Sequence, residues 1–78
     1  MATVRYFAAA RAAAEATSEQ LAATSVKELL DEAELRHPAL ARVLPACSYL
    51  VDGLASRDAT TVLTGAATVD VLPPFAGG

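Results

Sequence analysis

Two adjacent glycines, Gly77 and Gly78, follow Pro73-Pro74-Phe75-Ala76 with nothing after them that could be turned or capped. What remains useful is the α-carboxylate of Gly78, on a residue with no side chain. A terminal carboxylate has a reference pKa of about 3.3–3.7 and is therefore ionised at neutral pH. Glycine at both positions lets the backbone pass a constriction where a Cβ would clash, and it leaves the carboxyl carbon open to attack. Pro73 and Pro74 fix φ near −65° and bias the residue before each of them towards an extended conformation. Four residues after Pro74 reach about 13–14 Å at roughly 3.3–3.6 Å each. The pattern predicts an arm, Pro73 through Gly77, that threads the Gly78 carboxylate into a narrow pocket on another protein.

No other constellation supplies catalysis or a metal site. The phosphate-cradling pattern G-x-x-x-x-G-K-[ST] is absent. The single histidine, His37, stands beside Pro38 and reads as a solvated helix-end residue. With only Cys47 to accompany it, it does not make a zinc site. Cys47 reads as a small buried hydrophobe at the start of a strand, and it has no second cysteine for an internal disulfide. The six basic residues are scattered and the net charge is −3, which excludes a nucleic-acid footprint. No run approaches the ~20 apolar residues of a membrane helix. Met1-Ala2-Thr3 leads into a strand without signal-peptide regions, so the expected location is the cytoplasm.

The elements that must position the arm follow from periodicity. Val4-Arg5-Tyr6-Phe7-Ala8 predicts a first strand with Val4, Tyr6 and Ala8 on one face and Arg5 and Phe7 on the other. Alanine-rich Ala8–Ala16 predicts a short helix with an Arg11–Glu15 pair, and Ser18–Ala23 an edge strand. Ser25-Val26-Lys27-Glu28 is a capping box, in which Ser25 bonds the Glu28 N–H and the Glu28 side chain returns to the Ser25 N–H. Val26, Leu29, Leu30 and Ala33 then form one apolar stripe. Lys27, Asp31, Glu32 and Glu34 are left as a solvated face. Pro38 ends this helix near Arg36 and starts a second, shorter one with Leu40, Val43 and Leu44 buried, which Pro45 stops. Ser48–Val51, the hairpin signal Asp52-Gly53, and Leu54–Ser56 form two paired strands. Leu63-Thr64-Gly65 reads as a turn. Thr68–Leu72 is the last strand, with Val69 and Val71 towards the core and Asp70 and Leu72 opposite. The fold class is α+β: one principal helix across one small mixed sheet, a domain over residues 1–72 and an extended arm over 73–78.

A domain of this order ending in Gly-Gly resembles a ubiquitin-like β-grasp protein. More narrowly, Val4 through Arg11 and Val69 through Gly78 resemble the two ends of the small subunit of molybdopterin synthase, the MoaD family. The resemblance implies that a ubiquitin-activating-type enzyme uses ATP to adenylate Gly78, and that a sulfur donor protein then displaces AMP to leave a thiocarboxylate. It implies no catalytic residue and no cofactor bound by this chain. It further implies docking on the large synthase subunit, as a heterotetramer, whose active site passes the sulfur to a pterin precursor in molybdenum cofactor biosynthesis. By position it assigns threading to Pro73, Pro74, Phe75, Ala76 and Gly77, and docking to Phe7, Arg11 and Leu72. Two features depart from the family. Gly65 is followed by Ala66-Ala67-Thr68 where acidic residues are common, and Asp70 stands where an apolar residue is common. Sulfur carriers for cysteine, thiamin or tRNA thiolation share the Gly78 chemistry, although Pro73-Pro74 weighs against the thiamin branch. A ubiquitin-like protein modifier would use the same terminus.

Overall fold

The computed structural model describes residues 1–56, 58 and 60–74 of the chain. Strand β1 spans Ala2–Tyr6, helix α1 Ala9–Ala14, β2 Ser18–Leu21 and helix α2 Val26–Arg36. Two short 3-10 helices, Pro38–Arg42 and Leu44–Ala46, lead to β3 Ser48–Val51, β4 Leu54–Ser56 and β5 Thr68–Leu72. The five strands form one sheet in the order β2-β1-β5-β3-β4. β1 and β5 run parallel at its centre, and the remaining neighbours are antiparallel. The α+β class, with a principal helix over a mixed sheet, is the one the sequence predicts.

Alternation decides which side of the sheet is covered. Val4 and Tyr6 of β1, and Val69 and Val71 of β5, are at most 2% exposed. Their core is completed by Leu21, Val26, Leu29, Ala33 and Leu40. Each large aliphatic side chain buried there contributes about 1.5–3 kcal/mol. The α2 stripe is as expected, with Leu30 partly buried at its margin. Lys27 pairs with Asp31 at 2.7 Å and Arg36 with Glu32 at 3.4 Å along its outer side.

Several local expectations are corrected. β1 ends at Tyr6, and Ala8 takes φ 50° as the residue before α1, so it leaves the strand instead of extending the Val4–Tyr6 face. Glu15 takes φ 55° as the left-handed cap of α1, which ends the helix and removes Glu15 from helical register with Arg11. No Arg11–Glu15 ion pair forms. In the capping box Ser25 Oγ accepts the Glu28 N–H at 3.2 Å. The Glu28 carboxylate, however, goes one residue further, accepting the Thr24 hydroxyl at 2.8 Å and the Thr24 N–H at 3.4 Å. Pro45 does not stop a helix but lies in the first turn of the second 3-10 segment, where its missing N–H costs nothing. The turn after Leu63 falls later, with the Ala67 N–H donating to Thr64 O at 3.1 Å.

The Asp52-Gly53 hairpin forms with φ 50° and 84°, both central residues positive as a two-residue hairpin turn requires. Asp52 also ties the hairpin to β5: its N–H donates to Thr68 O at 2.8 Å, and its Oδ1 accepts the Thr68 N–H at 2.9 Å. His37 is not solvated. It caps α2, and its Nε2 lies 2.7 Å from Glu19 Oε1, the oxygen that also accepts the Tyr6 hydroxyl at 2.7 Å. The Tyr6 and His37 rings meet edge to face at 6.2 Å. This cluster fastens edge strand β2 to β1 and to the end of α2.

Burial and the Glu19 carboxylate push the Tyr6 phenol well above its ordinary range. The unfolded phenol therefore loses its proton first, and this contribution to stability is lost as pH rises beyond about 10. Tyr6→Phe should cost about 1 kcal/mol at neutral pH through the lost hydrogen bond. It should also flatten the fall in melting temperature above about pH 10, measured by calorimetry across that range. An unchanged alkaline slope would assign the loss to other groups.

Candidate functional site

The side of the sheet opposite α2 carries no helix among the described residues, and it gathers the outward residues of β1, β5 and β3. Arg5 lies directly across from Asp70, and Asp70 from Leu50; Ser48 lies across from Leu72. The Phe7 N–H donates to Val71 O at 3.3 Å, which carries the parallel pairing one step past Tyr6 and sets Phe7 beside Leu72. Phe7, Leu72 and Leu50 are all half-buried. The result is an apolar strip at the end of the sheet where β5 runs out into Pro73.

Within this strip lies an ion pair that sequence reasoning did not reach. Arg5 Nε donates to Asp70 Oδ1 at 2.5 Å and Nη2 to Oδ2 at 2.8 Å, a two-point fork. The Asp70 side chain is only 10% exposed, the Arg5 side chain 51%. The guanidinium also stands 5.7 Å from the centre of the Phe7 ring. The alternation of each strand was the available signal, since it puts Arg5 and Asp70 on the same side as Phe7 and Leu72. Their pairing required the register.

Of the residues expected to dock, Phe7 and Leu72 are brought together on this face. Arg11 is exposed on α1, the helix that begins just after Phe7. Pro73 is buried against the domain and Pro74 is exposed. Phe75, Ala76, Gly77 and Gly78 lie outside the described residues. Cys47 is half-buried, its thiol donating to Val43 O at 3.1 Å, and burial pushes its pKa up, away from a reactive thiolate. Among the described residues no group of three or more His, Cys, Asp or Glu side chains is placed to hold a metal. No helix among them is long and apolar enough to cross a membrane.

A mixed sheet with a parallel central pair and one principal helix across it defines a ubiquitin-like β-grasp domain. Several solved structures share it, three of them as follows. The solution structure of small archaeal modifier protein 1 from Methanosarcina acetivorans aligns at TM-score 0.89 and 24% identity, over 99% of this chain and 95% of that one. A chain of the complex of subunits 1 and 2 of molybdopterin-converting factor from Helicobacter pylori aligns at 0.77 and 22%, over 99% and 97%. A chain of the Amycolatopsis orientalis BexX/CysO complex aligns at 0.84 and 22%, over the whole of both. Sequence comparison with curated proteins gives no match. The chain belongs to the ThiS family, which it matches over residues 4–78. It is thus a ubiquitin-like sulfur carrier of the ThiS/MoaD type, a class of small and generally non-catalytic proteins.

The half-buried state of Phe7 and Leu72 sets their cost to the fold. Phe7→Asp and Leu72→Asp should each destabilise the isolated chain by about 1 kcal/mol. Val71→Asp, which buries a carboxylate without a partner, should cost several kcal/mol and prevent folding. Thermal melting of the three variants checks the order, and equal losses for Leu72 and Val71 would place Leu72 in the core.

Proposed function

We propose that this chain is the sulfur-carrying small subunit of molybdopterin synthase. In this reading Gly78 is adenylated by a ubiquitin-activating-type enzyme using ATP, and a sulfur donor converts it to a thiocarboxylate. The large subunit docks on the open sheet face, with Phe7 and Leu72 as apolar contacts and Arg11 at the rim. The two-subunit assembly is a heterotetramer in the cytoplasm. The observation that supports the reading is the place where β5 leaves the sheet into Pro73. Parallel pairing of β1 with β5 brings Phe7 and Leu72 together where the chain continues into Pro73-Pro74 and on to Gly77-Gly78. A partner seated on that strip has its pocket within the arm's reach of about 13–14 Å.

The chemistry is divided between the chains. The carrier contributes the carboxylate, and its oxygen attacks the α-phosphate of ATP with loss of pyrophosphate. Sulfur supplied by the donor at the sulfide level then attacks the acyl carbon, the acyl–phosphate bond breaks, and AMP leaves. The catalytic groups belong to the partners, while docking of the folded domain supplies binding energy remote from the reacting atoms and the arm positions them. A carrier for another sulfur route remains the second reading, favoured by the Arg5–Asp70 pair, which places charge where the MoaD resemblance implies an apolar contact.

Incubation with the adenylating enzyme, ATP and a sulfur donor should raise the intact mass by the exchange of one oxygen for sulfur, as read by mass spectrometry. Deletion of Gly78, or Gly77→Val, should abolish the exchange and leave the melting temperature unchanged. A ladder of conjugates in place of the exchange would make the chain a modifier. The loaded carrier should convert the pterin precursor only with the large synthase subunit, and failure there with successful loading would move it to another sulfur route. Phe7→Asp or Leu72→Asp should weaken docking on the large subunit by tenfold or more, about 1.4 kcal/mol or above, in titration calorimetry. Arg11→Ala should change the association rate and its salt dependence more than the affinity.

A further inference from the structure

We propose that the domain withholds nucleophiles from its own activated terminus, and that the arginines set around the root of the arm reserve the acyl group for an external sulfur. This rests on the reading of the chain as a carrier whose Gly78 is adenylated.

An acyl-adenylate is open to any amine or thiol that meets it. A neutral lysine amine would bond to the acyl carbon, and the bond from that carbon to the phosphate oxygen would break. AMP would leave, and the amine's proton would pass to water. A nucleophile tethered to the same chain meets the acyl carbon at an effective concentration of about millimolar. Arginine carries the same charge as lysine without this reaction, because its guanidinium does not deprotonate.

The cations are distributed accordingly. β5 leaves the sheet into Pro73 beside Phe7, just past the end of β1. Arg5 precedes Tyr6 on that strand, and the Arg11 N–H donates to Phe7 O at 3.4 Å. Arg36 ends α2 next to His37, which meets Glu19 beside Tyr6. Arg42 closes the first 3-10 helix on the way to Ser48, which lies opposite Leu72. Arg57 lies outside the described residues. The only lysine, Lys27, stands at the other end of the sheet. It sits in the first turn of α2, soon after Leu21, which lies opposite Ala2 at the beginning of β1. The length of β1 separates the two ends, and β5 runs away from Lys27. An arm of about 13–14 Å would have to fold back along its whole length to approach that amine.

The other nucleophiles are held by partners. Lys27 Nζ donates to Asp31 Oδ2 at 2.7 Å, which favours the ammonium over the reactive amine. Cys47 precedes Ser48 and so lies close to the root of the arm, but burial keeps it a thiol, donating to Val43 O. His37 Nε2 lies 2.7 Å from Glu19 Oε1.

Full-length chain bearing a Gly78 thioester, released from an intein fusion by a small thiol, presents the activated acyl group without any enzyme. Closure of the chain on itself is read by intact-mass spectrometry as loss of that thiol, and peptide digestion maps the joined residue. The folded wild type should stay open and lose its thioester only to hydrolysis. Arg11→Lys and Arg42→Lys, both at exposed positions, should melt as the wild type does. Each should close at its new lysine about tenfold faster than the wild type closes at any residue, or more. That rate should rise about tenfold per pH unit between about pH 7 and 9, as the neutral amine does. Wild type unfolded in urea should close through Cys47 or Lys27, because their placement and hydrogen bonds are lost. Closure of the folded wild type at Cys47 or Lys27 overturns the proposal. So do two lysine variants that stay open, and so does an unfolded wild type that stays open. Enzymatic sulfur loading of the wild type is measured beside these rates. Its failure overturns the carrier reading and the proposal with it, whereas open lysine variants with successful loading overturn the proposal alone.

Discussion

The parallel pairing of β1 with β5 is the constraint on which everything else in this molecule depends. It joins strands from opposite ends of the chain, with Val4 beside Val69 and Tyr6 beside Val71, at the centre of the sheet. A parallel pair cannot be closed by a tight turn, so the whole intervening chain serves as its crossover and must be packed somewhere. Its strands β2, β3 and β4 join the sheet, and its helices pack on one side, where α1, α2 and the two 3-10 segments cover the Val4, Tyr6, Val69 and Val71 face. The other side carries no helix among the described residues. Parallel direction also sends both strands out at the same edge, so Phe7 and Pro73 emerge together. The apolar strip and the root of the arm are thus consequences of one register.

The two sides of the sheet divide the physical work. On the covered side apolar burial supplies the stability, and polar ties hold the periphery: Glu19 between Tyr6 and His37, Asp52 on Thr68, Glu28 on Thr24. Each closes an element that would otherwise fray, and buried donors and acceptors are matched, with no buried side-chain polar atom left unpartnered among the described residues. On the open side Phe7, Leu72 and Leu50 stay half exposed around the Arg5–Asp70 fork. A surface of that composition adds little to the monomer. Its apolar area and oriented donors gain their value when a partner excludes water from them, as the proposed carrier role requires.

The separation also fits the proposed role of the chain in a group transfer whose catalytic groups lie on its partners. In the proposed reaction the substrate group is part of the polypeptide, and the folded domain acts as a large remote handle on a small reacting centre. Substituent-free glycines suit the reacting end, and a rigid sheet suits the handle. In that proposal a stiff proline step between them converts docking at one place into positioning at another. Pro73, buried against the domain, makes the start of that step part of the rigid body.

Much of this was legible in the residues because it depends on neighbours in sequence. The α2 stripe, the Ser25 cap, the Asp52-Gly53 turn and the β5 alternation are set by periods of 3.6 and 2 and by local backbone preferences, and each element stands where those preferences place it. The threading arm read from the proline step and the Gly-Gly terminus lies, from Phe75 on, outside the described residues. Where local rules compete, the chain's own choice was not readable: nothing in the alanine-rich segment marks Glu15 as the left-handed residue that ends α1, and Glu28 finds two groups on Thr24 where the pattern names one on Ser25. Register lies beyond such rules altogether. That Arg5 meets Asp70, 65 positions away, and that Glu19 meets His37, 18 positions away, follows from how strands and helix settle over a common core. The sequence by itself determined most of the elements and the faces they present. Only the tertiary structure decided which charged side chains came to face one another, because side-chain pairs across strands are fixed by the packing of the whole sheet.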